Sequence, residues 1–132
     1  VDDKAAHALW DAGETVFVDV LPRAPKPEGL PAGTIWREKP RRSIPGAIWL
    51  PETGRGELAE GIGGYLEAQL AALAVGRPVV VFCNADCWMS WNAAQRIAAL
   101  GYETWWWPLG IHGWTDEGLE LTPVEPLVVN VD

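Results

Sequence analysis

The stretch VVVFCNADCWMSWNAAQRIAALGY, Val79 to Tyr102, decides how the rest of the chain reads. It opens, just after Pro78, on a run that is apolar at every position rather than at every second one. Such a run predicts a central parallel strand covered on both faces. Its second half, SWNAAQRIAAL, carries small and apolar residues at helical spacing and is closed by Gly101, which predicts a helix with Ser90 as its N-cap. Between strand and helix lies a loop of a few residues that holds both cysteines of the chain, Cys83 and Cys87.

The flanking segments repeat the alternation. TVFVDV (Thr15 to Val20) is short and β-branched and reads as a buried strand ending near Asp19. AIWLP supplies a second short strand. YLEAQLAALA places Leu66, Leu70 and Leu73 on one helical stripe, with Gly61, Gly63 and Gly64 delaying its start. YETWWW reads as another strand, followed by a short helix near Trp114. Ahead of them all, Asp2 or Asp3 can cap a helix that carries Ala6, Leu9 and Trp10 on one face. Helix, strand, loop, strand, helix, strand, helix, strand is the order of an α/β domain, with a mainly parallel central sheet and helices on both faces.

One segment breaks the pattern. From about residue 21 to residue 43 the chain is rich in proline and in basic residues, and six of its ten Lys and Arg residues fall between Arg23 and Arg42. Proline removes backbone donors and holds φ, so this insertion is expected on the surface as loop or extended chain. Its charge could steer an acidic partner, although a solvated loop is the ordinary role of such a run.

At 132 residues the expectation is one domain over the whole chain, 1–132. A formal net charge of −8 argues against nucleic acid or an anionic membrane surface as partner. No apolar run approaches the length of a membrane span. Two cysteines are too few for a stapled scaffold, and their close spacing suits chemistry better than a cross-link.

Ligands of open parallel sheets bind beyond the carboxyl ends of the strands, and Cys83 is the first residue after the central strand. Backbone N–H groups that curl toward the next helix would form an anion nest there. A thiolate in it is expected to have a lowered pKa. Fully extended, Cys83 and Cys87 would stand about 13 Å apart. Only a curled loop brings their Cα atoms to the ~4.4–6.8 Å of a disulfide. Cys87 could then resolve a persulfide or sulfenate on Cys83, or serve only in packing.

These segments resemble the rhodanese family. VFVDV is similar to its strand ending in Asp, SIPGAIWLP to its Gly-His-Ile-Pro-Gly-Ala segment, VVVFC to the strand before its catalytic cysteine, AAQRIAALGY to the following helix, and PLGIHGW to its Gly-Gly-x-x-x-Trp segment. The resemblance implies a single rhodanese-like domain with Cys83 as the persulfide-forming cysteine and no bound cofactor or metal. Asn84, Ala85, Asp86, Trp88, Met89 and Ser90 then form the substrate or anion loop, with His112, Trp91 and Asp19 behind it. The loop departs from the family in carrying Asp86 and no Arg, so little activity toward dianionic thiosulfate is expected. Cys83 and Cys87 followed by Trp88 also resemble the rhodanese-related Cys–Cys–Trp proteins associated with PQQ-dependent alcohol catabolism. That narrower resemblance implies a periplasmic location, a leader ahead of Val1, and service to a quinoprotein pathway on an undefined sulfur or thiol substrate.

Other readings stay open beside this one. Cys83 could be a small buried hydrophobe at a strand end. The two thiols with Met89 and His112 would suit Cu(I). Trp88, Trp91 and Trp36 could line a docking surface for a partner protein, whereas Trp49, Trp106 and Trp114 are expected in the core.

Overall fold

The computed structural model describes residues 1–23, 29–33, 41–85 and 87–127. The apolar run after Pro78 forms strand β4 (Val79–Phe82), numbering elements along the whole chain, and every residue of it is buried. It lies between β1 (Val16–Asp19) and β5 (Thr104–Trp107), with β3 (Ile48–Trp49) beyond β1. The sheet order is β3-β1-β4-β5 and every pairing is parallel. Register runs from Val16 opposite Val79 to Asp19 opposite Phe82, so Asp19 and Cys83 come to the same end of the sheet.

Strand geometry sends alternate side chains to opposite faces. Val16, Val18, Val79, Val81 and Cys83 pack with α2 (Ile62–Leu73) and α3 (Met89–Ala99). Phe17, Val80 and Phe82 pack with Ala6 of α1 (Asp3–Ala12) and Trp114 of α4 (Gly110–Asp116). Covering both faces is why the run needs no polar positions. Each fully buried Val, Leu or Phe contributes roughly 1.5–3 kcal/mol.

Asp2 is the N-cap of α1 and accepts the Ala5 N–H at 2.8 Å. Helix α3 begins at Met89 with Trp88 at the cap position and no side-chain cap, so Ser90 is not the N-cap expected from sequence. The Trp assignment on β5 also shifts. Trp107 is fully buried, Trp105 is exposed, and Trp106 is only half-buried, which moves Trp106 from the core to the site. Trp49 and Trp114 are buried as expected.

The basic insertion is not all loop. Arg41–Ser43 form β2, which pairs antiparallel with β6 (Thr122–Val124), and Leu127 N–H then donates to Trp49 O at 2.9 Å. The segment at Pro126 and Leu127 thereby closes against the β3 edge of the main sheet. Lys26, Trp36, Arg37 and Lys39 lie outside the described residues, so the partner surface expected at Trp36 does too. Among the described residues no helix is long and apolar enough to cross a membrane.

Candidate functional site

Cys83 leaves the end of β4 with its side chain turned into the core between α2 and α3, fully buried. Its carbonyl accepts the Ile111 N–H at 3.2 Å. Gly110 makes that approach possible: its φ is +49° and a Cβ there would stand 1.8 Å from the Cys83 oxygen. Only glycine tolerates both the dihedral and the contact. The loop then curls through successive turns. Cys87 N–H donates to Asn84 O at 3.2 Å, Ser90 N–H to Cys87 O at 3.3 Å, and Trp91 N–H to Trp88 O at 3.1 Å. These turns bring Cys87 back over the core cluster that contains Cys83, and Cys87 is half-buried there.

The surroundings of Cys83 reverse the expected thiolate stabilisation. Its pKa is pushed well up from the ordinary 9.0, first by burial and then by the hydrogen bond and charge of the Cys87 thiol, with Asp19 adding to the rise. The backbone of Asn84 acts the other way but does not offset them. The anion nest is also partly used up. Ala85 N–H donates to Nδ1 of His112 at 2.7 Å, and Cys87 N–H is taken by Asn84 O. His112 thus joins the loop as an acceptor, which places its ring proton on Nε2.

Behind the loop stands Arg41, which from sequence reads only as part of the basic insertion. Asp19 is fully buried, and Arg41 donates to it through Nε at 2.6 Å and through its second terminal nitrogen at 3.0 Å. Ser43 Oγ–H and Leu21 N–H complete the carboxylate shell at 2.7 and 3.1 Å. The other terminal nitrogen of Arg41 donates to Asn84 Oδ1 at 3.3 Å, so the guanidinium ties the carboxylate to the cysteine loop. The signal was present: an Asp ending a buried strand needs a cation, and Arg41 lies shortly before the SIPGAIWLP segment, whose Ile48 and Trp49 pair with that strand. Asp19 therefore anchors the Arg41 guanidinium, which in turn bonds Asn84 of the loop.

On its outer side Cys87 opens into a cleft of about 240 Å³ shared with Trp88, Trp106, Pro108 and Leu109. Trp106 Nε1–H donates to Ser90 Oγ at 2.9 Å, and Ser90 Oγ–H donates to Cys87 O at 2.9 Å. Trp91 leans on Trp106 with ring centroids 4.9 Å apart. Of the expected site residues, the fold brings together Cys83, Cys87, Asn84, Ala85, Trp88, Ser90, His112, Trp91 and Asp19. Met89 instead backs onto Gly54, where a Cβ would meet the Met89 backbone at 2.4 Å. Asp86 lies outside the described residues. Pro108 and Leu109 were not anticipated; they stand just before the PLGIHGW glycine that docks on Cys83, and only that contact puts them at the site. Among the described residues no group of three or more His, Cys, Asp or Glu is placed to hold a metal ion.

Solved structures share this architecture. A Bacillus halodurans protein aligns with a TM-score of 0.61 at 20% identity, over 92% of this chain and 74% of its own. Two Lactobacillus plantarum structures align at 19% identity. One has a TM-score of 0.61 over 96% of this chain and 87% of that one, and the other 0.58 over 92% and 86%. At such identities the likeness concerns the fold alone. No curated protein matches the chain in sequence. The profile of the rhodanese-like domain matches residues 3–117, which takes in the sheet, all four helices and the cysteine loop, and on that span the chain belongs to the rhodanese-like domain family.

Proposed function

We propose that this rhodanese-like domain carries out thiol chemistry, sulfur transfer or thiol–disulfide exchange, on the Cys83–Cys87 pair. The single observation that supports it most is that the loop brings Cys87 back against the core cluster that contains Cys83, at the carboxyl end of the central strand, with one thiol buried and one facing a cleft. In the same reading the protein works in the periplasm, in a PQQ-dependent alcohol oxidation pathway. That part rests on the Cys–Cys–Trp resemblance of Cys83, Cys87 and Trp88.

Mass spectrometry tests the chemistry directly. The reduced protein is exposed separately to a sulfane donor and to a mild oxidant. Gain of one sulfur on a cysteine, or loss of two hydrogens with Cys83 and Cys87 linked, is expected. A protein that shows neither, while staying folded, has no such chemistry. A docking role is the second reading, favoured by the exposure of Trp88 (58%) and Trp91 (48%) beside the loop. It requires that Cys83→Ser leave partner binding and pathway function intact, and the thiol reading requires that function be lost.

A further inference from the structure

We infer that Cys87 is the thiol that meets substrate and that its cleft selects an uncharged, apolar disulfide, with Cys83 acting second, from within. This rests on the thiol reading above and specifies its order and substrate class.

Access decides the order. Cys83 is fully buried, whereas Cys87 is half-buried and forms part of the cleft wall. The cleft supplies the class. Its other walls are two indoles, a proline and a leucine, and among the described residues none of the lining side chains is charged. The indole N–H of Trp106 is already given to Ser90, so that ring offers the cleft no free donor. Among the described residues, the guanidinium that reaches the cysteine loop, that of Arg41, is committed to Asp19 and Asn84. Among the described residues, an anionic sulfur donor would leave water here with no uncommitted cation beside the cleft and a nest already partly taken, on a body of net charge −8. An uncharged aromatic or alkyl group loses only water.

The steps balance. The Cys87 thiolate attacks one sulfur of R–S–S–R; that bond breaks, Cys87–S–S–R forms, and RS⁻ departs to take up the proton that Cys87 gave. The Cys83 thiolate then attacks Sγ of Cys87, forming the Cys83–Cys87 disulfide and expelling the second RS⁻, which takes the Cys83 proton. The dithiol loses two electrons and the substrate becomes two RSH. A raised pKa makes the Cys83 thiolate scarce, and its greater intrinsic nucleophilicity offsets only part of that loss, so it is the closeness of Cys83 to Cys87 that carries this intramolecular second step.

The test uses dithiodipyridine, uncharged near neutrality, and dithiobis(nitrobenzoate), a dianion, with each rate divided by that reagent's rate on a small free thiol. The uncharged reagent should be preferred by about tenfold, the scale on which apolar pockets discriminate. Wild type should release two thiopyridones and close the internal disulfide. Cys83→Ser should release one and hold a mixed disulfide on Cys87, and Cys87→Ser should react slowly. Leu109→Asp, at an exposed position, should lose the preference, and Trp88→Ser serves if that variant folds poorly. Equal normalised rates overturn the substrate class, and Cys87→Ser reacting as fast as wild type overturns the order; in both cases thiol function survives. Release of a single thiopyridone by wild type, with no internal disulfide, sinks the thiol-pair reading itself.

Discussion

Two buried residues set the electrostatics of the loop. Arg41 is almost wholly enclosed with Asp19, which is fully so, and neither charge has water to fall back on. Removing one partner from a buried pair leaves the other uncompensated. Arg41→Met should therefore cost roughly 3–5 kcal/mol. The double variant Asp19→Asn with Arg41→Met should cost less than Arg41→Met alone, and urea unfolding of the set checks it. Cys83 gives a prediction in pH. Its folded pKa lies above the ordinary 9.0, so the folded protein keeps a proton that the unfolded chain releases. Stability from this group is complete below pH 9 and is lost as pH rises beyond it. Tyr65, pushed up from 10.0 to about 12 by burial, acts in the same direction from pH 10 upward. Under reductant, the urea midpoint should fall between pH 9 and pH 10, and less so in Cys83→Ala. A midpoint that stays level in wild type would mean that burial is not holding the thiol proton.

Helices α3 and α4 hold the loop from its two ends. At α4, Gly110 touches the Cys83 carbonyl, whereas Gly118 has a similar positive φ but open space around it. Alanine at Gly118 should cost about 1–2 kcal/mol, the strain of a left-handed residue alone. Alanine at Gly110 adds a clash, so it should cost about 1–3 kcal/mol more and raise the rate at which Cys83 is alkylated. Thermal melts of both variants beside the alkylation rates separate strain from clash. On α3, Ser90 is buried, joining the Trp106 indole to the Cys87 carbonyl. Ser90→Ala should lose about 1–3 kcal/mol and release the indole N–H, seen as a shift of its NMR resonance. An unchanged resonance would show that Trp106 is held by packing against Trp91 instead.

At the scale of the molecule, the sheet and its four helices anchor both ends of the cysteine loop, so closing a disulfide across it asks little of the rest. A cross-link over so short a loop restricts the unfolded chain only slightly. Oxidised and reduced protein should melt within a few degrees of one another, while Cys87 loses its reactivity; intermolecular dimers alone on mild oxidation would show that the pair cannot close. Thiosulfate:cyanide activity should be low, because the described cations beside the loop are engaged and the cleft is apolar. What the sequence by itself determined was local: the apolar run of β4, the buried Leu66 and Leu70 of α2 (Leu73, expected on the same stripe, is exposed), the small-residue face of α3 and the two cysteines in the loop before it. Those follow from periodicity and spacing, which a chain displays without its partners. What only the tertiary structure decided came from residues distant in sequence. It joined Arg41 to Asp19, gave Pro126 and Leu127 a place on the sheet edge, turned Trp107 inward and Trp106 toward the cleft, and set Cys83 in the interior with Cys87 at its surface. Burial and pairing settle the charge of a thiol or a carboxylate, and both are properties of the packed core rather than of any short stretch of chain.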